Sequence, residues 1–239
     1  MQYYLAPNVI DFHDKDQKQL LQKLKHKLLK GDKLITRYYE PQAYTYQTEN
    51  GVLGRVINMY DYFQNAVNVP ARDLHVRLSG VFPLNDFNII GINNNQSDIY
   101  YHGRKIAEVA IAPSTVQLIG TISFLDRDGI VTSKDLYDRR GFLSSTQYFD
   151  HNGDFGHQVM YDPDGNPKME IIVMKQADGQ IGTTGIKLLN YQGADYLFDS
   201  ENSLWDFFVK EMKHQEQAQE KQTRKSIQKL AKLKKKGRK

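Results

Sequence analysis

Chemistry in this chain would have to come from carboxylates, histidines, serines, tyrosines and arginines, because its 239 residues include no cysteine. That absence removes thiol nucleophiles, disulfides and cysteine-based zinc sites. Acidic side chains recur from Asp126 onward, at Asp128, Asp138, Asp150, Asp154, Asp162 and Asp164. Clustered carboxylates suit a hard cation, and Asp162-Pro163-Asp164-Gly165-Asn166 has part of a calcium-loop pattern. The distal bidentate Glu of such a loop is missing, and Asp and Asn are the residues that stabilise tight turns by bonding their own backbone. Turn formation is therefore the preferred reading, and no metal is expected. His75, His102, His151 and His157 show no HExxH or paired ligand spacing, so they read as lone surface or core residues. Ser114, Ser133, Ser144 and Ser145 lack the G-x-S-x-G context of an acyl-transfer nucleophile. No catalytic residue and no cofactor is assigned.

Two sets are better suited to binding. Tyr137, Arg139, Arg140, Tyr148, Tyr161 and Tyr191 fall in a strand-rich stretch where alternation brings some rings to one face. Aromatic platforms bordered by Arg hold sugars or extended peptide, while the plainer reading is that Tyr packs the sheet and Arg caps its edge. The second set is the basic run with Arg224, Lys225, Lys229, Lys232, Lys234, Lys235 and Lys236. From Lys221 to Lys239 there are ten Lys/Arg and no Asp/Glu, so the +4 net charge of the whole leaves the remainder acidic by six. Counterion release would drive such a run onto an anionic membrane, a polyanion such as teichoic acid, or nucleic acid, with nucleic acid ranked third. A solvated tail is the competing reading.

Tyr and Phe are abundant, at 15 and 11 residues, and favour strands. The N-terminal residues lack a basic start followed by a long apolar run, and no stretch approaches the ~18 apolar residues of a membrane span. The expected location is cytoplasmic, or peripheral to the inner face of the membrane.

The elements that must position these residues fall into an α+β arrangement. Residues 1–50 read as a partial Rossmann-like β-α-β unit. Tyr3-Tyr4-Leu5 is a strand, a helix capped by Asp14 carries Leu20, Leu21, Leu24, Leu28 and Leu29, and Lys33 to Tyr39 is a second strand. Residues 51–198 read as a large antiparallel β-meander. Val56 to Phe63 is either a strand or a short helix, and strands are expected at 74–78, 98–101, 104–111 and 117–124. Beyond Phe124, Asp128-Gly129, Arg140-Gly141, Asn152-Gly153, Asp164-Gly165, Asp178-Gly179 and Gln192-Gly193 recur at intervals of 12, 12, 12, 14 and 14 residues. Such pairs supply the positive φ angles of primed hairpin turns. Strands are expected between them at 143–149, 156–161, 168–174, 184–189 and 194–198. Residues 199–213 form a packing helix capped by Ser200 or Asn202, with Leu204, Phe207 and Phe208 turned to the sheet. Residues 214–239 form a basic tail, helical when bound and frayed when free.

The run YDRRGFLSSTQYFDHNGDFGHQVMYDPDGNPKMEII, followed by LLNYQGADYLFDSENSLWDFFVKEM and preceded by VINMYDYFQ, resembles the extended β-sheet region near the N-terminus of a group of bacterial GT-B glycosyltransferases. The group includes poly(glycerol-phosphate) α-glucosyltransferases of wall teichoic acid and the glycosyltransferase pair of the accessory Sec system. The resemblance covers roughly residues 1 to 212. It implies a Rossmann-like start followed by a meander that engages acceptor or partner chains. Three features depart from the group. Ala6 to His13 contains no glycine for close backbone approach to a nucleotide sugar. A second Rossmann domain would need roughly 150 to 200 further residues. No pair of Glu residues eight apart has the donor-site context. The expectation is a non-catalytic subunit or truncated relative, which binds a full-length glycosyltransferase and a protein or teichoic-acid acceptor. The alternatives are one fragment of a split α-glucosyltransferase, active as a hexosyltransferase only with its partner, and a basic-tailed polyanion-binding module. Homo-oligomerisation through the sheet is a secondary expectation.

Overall fold

The computed structural model describes residues 3–6, 24–41, 43–69, 78–113, 115, 118–175 and 179–236. The first strand, β1 (Tyr3–Ala6), pairs in parallel with β2 (Lys33–Thr36), and β2 pairs in parallel with β3 (Val56–Asn58). Helix α1 (residues 24–29) precedes β2, and α2 (Ala43–Glu49) links β2 to β3. Side-chain alternation explains why the small sheet is apolar on both faces. Leu34 and Val56 pack with Leu28 of α1 and Ala43 of α2, while Ile35 and Ile57 face a larger core on the other side. The Asp14 cap, Leu20 and Leu21 lie outside the described residues.

Segment 56–63 combines both readings that its sequence left open. The strand ends at Asn58, whose side-chain oxygen accepts the backbone N–H of Tyr60 at 2.9 Å and of Asp61 at 3.4 Å. That cap starts helix α3 (Met59–Phe63). Residues 51–69 and 78–86 thus stand outside the meander: β3 completes the parallel sheet, and Leu78 opens helix α4 (Leu78–Val81). The strand expected at 74–78 otherwise falls outside the described residues. The strand expected to reach Tyr39 ends at Thr36; beyond it the Tyr38 carbonyl accepts from Asn58 Nδ2 at 2.6 Å and the Tyr39 hydroxyl donates to Ser144 Oγ at 2.7 Å.

The meander begins at Phe87 and has ten strands, each hydrogen-bonded to its sequence neighbours. They are β4 (Phe87–Asn93), β5 (Gln96–Tyr101), β6 (Arg104–Ile111), β7 (Ile119–Leu125) and β8 (Val131–Tyr137), then β9 (Leu143–Phe149), β10 (Phe155–Tyr161), β11 (Pro167–Lys175), β12 (Ile181–Tyr191) and β13 (Ala194–Phe198). Four consecutive hairpins, β7 to β11, share a pattern that the dipeptide reading understated: Asp-x-x-Gly at 126/129, 138/141, 150/153 and 162/165. In each, the Gly N–H donates to the Asp carbonyl and the Gly has φ between 81° and 89°. The residue before each of these glycines is absent from the positive-φ set, so these are not primed two-residue turns. Their geometry is a turn closed by a left-handed glycine. Gln192-Gly193, with φ of 52° and 86°, does have the primed form.

The inside of the sheet changes face along its width. One row of directly paired residues runs Ser97, Val109, Ile122, Asp135, Thr146, Val159, Glu170, Lys187, Leu197. Val109 and Ile122 are buried at one end of it, whereas Leu197 at the other end is 75% exposed. The adjacent row, on the opposite face, runs Asp98, Glu108, Ser123, Lys134, Gln147, Gln158, Ile171, Ile186, Phe198 and grades from charged to apolar in the same direction. Phe82, at the end of α4, covers the first face over β5 to β7 together with Leu78 and Val81. Helix α3, the β2–β3 face and the C-terminal helix cover the second face over β10 to β13.

That helix, α5 (Glu201–Lys236), starts at Ser200, whose Oγ accepts the Ser203 N–H at 3.3 Å. Leu204, Phe208 and Met212 recur every four residues, are almost fully buried, and face β12 and β13. Burial of each contributes about 1.5–3 kcal/mol. Asn202 is not the cap, since its Oδ1 accepts instead from Arg37 Nη2 at 2.6 Å. The helix shows no break at residue 213, although Met212 is the last buried apolar residue among its described side chains.

Candidate functional site

The six residues proposed for acceptor or partner binding separate into three places. Tyr137, Tyr148 and Tyr161 alternate with the strand so as to share the face of the Ile122–Leu197 row. Tyr148 is 42% exposed and stacks on His157, with centroids 5.7 Å apart and planes at 22°. Burial, and then the neighbouring Tyr161 hydroxyl, push the Tyr148 hydroxyl above its ordinary value. Burial pushes that of Tyr137 up to about 12, with Asp135 adding to the effect. Beyond Tyr148 the same face carries Ile172, Met174 and Leu197, at 41%, 59% and 75% exposure. A shallow groove of about 470 Å³ opens beside them, lined by Thr184, Gly185, Leu197, Phe198, Asp199 and Ser203.

Arg139 lies at the rim, where Nη2 donates to the Pro113 carbonyl and ties the β8–β9 hairpin to the β6–β7 connection. Arg140 and Tyr191 are on neither surface. Arg140 is 2% exposed, and its guanidinium is a clamp. Nε donates to Asp138 Oδ1 at 2.7 Å, Nη2 to Asp138 Oδ2 and to Asp61 Oδ1 at 2.8 Å each, and Nη1 to the Ala66 carbonyl at 2.5 Å. Burial works against its charge, but the two carboxylates outweigh burial and hold the guanidinium above its ordinary value. Asp61 is pushed up by burial, with Arg140 opposing. Beside the clamp Gln64 Nε2 donates to the Ser144 carbonyl at 2.9 Å and the Tyr161 carbonyl at 2.7 Å. Helix α3 and the residues just after it are thereby bolted to the β8–β9 and β10–β11 hairpins. Arg140 is a structural tether and not an accessible binding residue, because it is buried and each of its three guanidinium nitrogens already has a protein acceptor.

Tyr191 performs the same service for α5. Its hydroxyl meets Tyr62 Oη at 3.0 Å and Glu211 Oε2 at 3.0 Å, and its ring packs on Phe63 and Phe207. Burial, then the Tyr62 and Glu211 partners, drive its hydroxyl far above the ordinary value. Asp61, Gln64 and Glu211 were missed in the sequence because their partners lie 20 to 97 residues away, with no local signature.

Asp162 turns inward. Its Oδ1 accepts the backbone N–H groups of Asp164 and Asn166 at 3.1 and 2.8 Å, and Oδ2 lies 3.3 Å from Lys168 Nζ. Among the described residues no group of three His, Asp or Glu has the arrangement of a metal site. Arg224, Lys225, Lys229, Lys232, Lys234, Lys235 and Lys236 fall on the α5 backbone, and their side chains lie outside the described residues. Among the described residues no helix is long and apolar enough to cross a membrane.

The ten-stranded sheet, with its first strand at Phe87 and its last at Phe198, coincides in extent with one family match. Residues 87–199 match the GtfB middle domain. This GtfB-type sheet, with the parallel unit before it and α5 after it, bears out the resemblance to the N-terminal sheet region of bacterial GT-B glycosyltransferases. The glycosylation-associated protein (Gap123) complex of Streptococcus agalactiae includes a chain with the same fold: TM-score 0.68, 16% identity, over 90% of this chain and 44% of that one. A GtfA/B complex bound to UDP and GlcNAc gives 0.60, 15%, 89% and 42%, and TarM gives 0.60, 14%, 88% and 43%. The chain therefore spans less than half the length of each of these solved neighbours. No curated protein matches the sequence.

Proposed function

We propose that this chain is a binding component of a glycosyltransferase assembly, which uses the open face of its GtfB-type sheet to dock a full-length glycosyltransferase and to present a protein or teichoic-acid acceptor. One observation carries the reading: the face of β9 to β13 bears Tyr148, Ile172, Met174 and Leu197 exposed, with no described element packed over them, while the opposite face is packed by α3 and α5. Exposed apolar and aromatic side chains gathered on one rigid face are the usual mark of an interaction surface. The GtfB middle-domain match, and neighbours that were solved as complexes, favour a glycosyltransferase as the occupant. Chemistry in this reading belongs to the partner, and donor binding with it.

The test is co-purification with a full-length glycosyltransferase encoded beside this chain, followed by sugar transfer from UDP-sugars. The expected result is a stable complex that Ile172→Asp combined with Leu197→Asp dissociates, with the melting temperature of the isolated chain unchanged. Turnover of a UDP-sugar by this chain alone would overturn the proposal.

A second contact is supported by the length of α5. It continues as one helix to Lys236, about 36 Å past Met212 at 1.5 Å per residue, and this length offers its run of basic residues to a polyanion or an anionic membrane.

A further inference from the structure

The two edges of the ten-stranded sheet are protected differently. At one edge β13 has five residues, includes Asp195 in an ion pair with Lys187 at 3.2 Å, and is followed closely by α5. At the other edge β4 presents seven residues, FNIIGIN, with no charged residue anywhere between Asp86 and Asp98. Ile90 and Ile92 are 48% and 53% exposed on it. An edge strand offers a row of unpaired N–H and C=O groups, and proteins normally blunt such edges with charge or proline. β4 has neither charge nor proline; of the devices that protect edges it carries only the bulge at the register shift between Gly91 and Asn93.

We propose that β4 is a self-association edge: it pairs antiparallel with β4 of a second copy of this chain, about a two-fold axis at Gly91. This goes beyond the docking role of the open face and does not depend on it. The occupant follows from charge and symmetry. A neutral edge has no like charge to set against its own image, whereas Asp195 on β13 would penalise self-pairing. Two-fold pairing at Gly91 places Ile90 of each copy opposite Ile92 of the other, so the exposed apolar side chains cover one another in the cross-strand positions that stabilise sheets. Such an interface is isologous and closes as a dimer. The other side of β4 is occupied already, with Phe87 and Ile89 packed on the Phe82 core.

The chain has no cysteine, so a single introduced one is a clean reporter. At Gly91 an added Cβ meets nothing within 4 Å and the backbone is not left-handed, so Gly91→Cys leaves the fold undisturbed. The full chain is expected to sediment as a concentration-dependent dimer of the 27.7 kDa protomer. Oxidation or a short bis-maleimide should join Gly91→Cys into a covalent dimer. Ile90→Lys with Ile92→Lys should weaken the dimer at least tenfold while the circular dichroism and melting temperature stay those of the parent. The proposal is overturned by a monomer at every concentration, by a dimer that survives the double lysine variant, or by Gly91→Cys joining only to a co-expressed glycosyltransferase. Loss of partner binding in the open-face variants with dimerisation intact separates this inference from the docking role.

Discussion

Arg140 Nη2 lies 2.8 Å from Asp61 Oδ1, across 79 residues of sequence, and this contact joins the β8–β9 hairpin to helix α3. Two carboxylates on one buried guanidinium make the joint sensitive to loss of any member, because the remaining charges would be desolvated and unpaired. Arg140→Met is expected to destabilise the chain by about 3–5 kcal/mol. In a double-mutant cycle, Arg140→Met with Asp61→Asn should show a coupling of about 0.5–3 kcal/mol in urea unfolding. Additivity of the two changes would show that the clamp does not hold the two layers together.

Ile171 and Ile172 are consecutive on β11 and test the reversal of the sheet directly. Ile171 is 8% exposed in the α5-facing core, and Ile172 is 41% exposed on the open face. Ile171→Ala should cost about 2–5 kcal/mol, whereas Ile172→Ala should stay within about 1 kcal/mol of the parent. Equal losses would mean that both faces of β11 are packed.

Asp150 and Asp162 contribute to the acid limb of stability. Backbone N–H groups hold the Asp162 carboxylate below its ordinary value against the opposing effect of burial, and the Asp154 and Asn152 N–H groups do so for Asp150. A depressed folded-state value means that the unfolded chain binds protons first as pH falls. The stabilisation is therefore complete above the ordinary value of 3.8 and is lost as pH drops through the lowered ones. Melting temperatures measured from pH 6 to pH 2 should fall steeply below about pH 4. Asp162→Asn, which keeps an oxygen for the turn but does not titrate, should make that fall shallower. An unchanged acid limb would mean that groups other than the turn carboxylates govern it.

The basic end of α5 predicts a salt-dependent contact. Binding of the full chain to vesicles containing phosphatidylserine should weaken on going from low to physiological salt. Replacing Lys232, Lys234, Lys235 and Lys236 with Gln should cost about 1 kcal/mol per lysine removed. Binding that ignores both salt and these substitutions would leave the run as a solvated helix end.

The hairpin ladder was legible in the sequence because a turn is local chemistry. An Asp that caps its own turn and a Gly at positive φ lie within three residues of each other, and their 12-residue repeat sets the strand lengths between them. Strand 143–149, between two of these turns, follows with its ends in place. Segment 56–63 was not decided locally, because Asn58 serves equally as the end of a strand and as a helix cap. The faces of the sheet were not decided locally either. Alternation tells which residues share a face, as Tyr137, Tyr148 and Tyr161 do, but which face is buried depends on what packs there. Here α4 takes one face of the early strands, and α3 with α5 takes the opposite face of the later ones. Arg140 shows the same limit in a single residue. A sequence specifies short-range bonding through neighbouring atoms, whereas burial and long-range ion pairs arise only when distant segments meet.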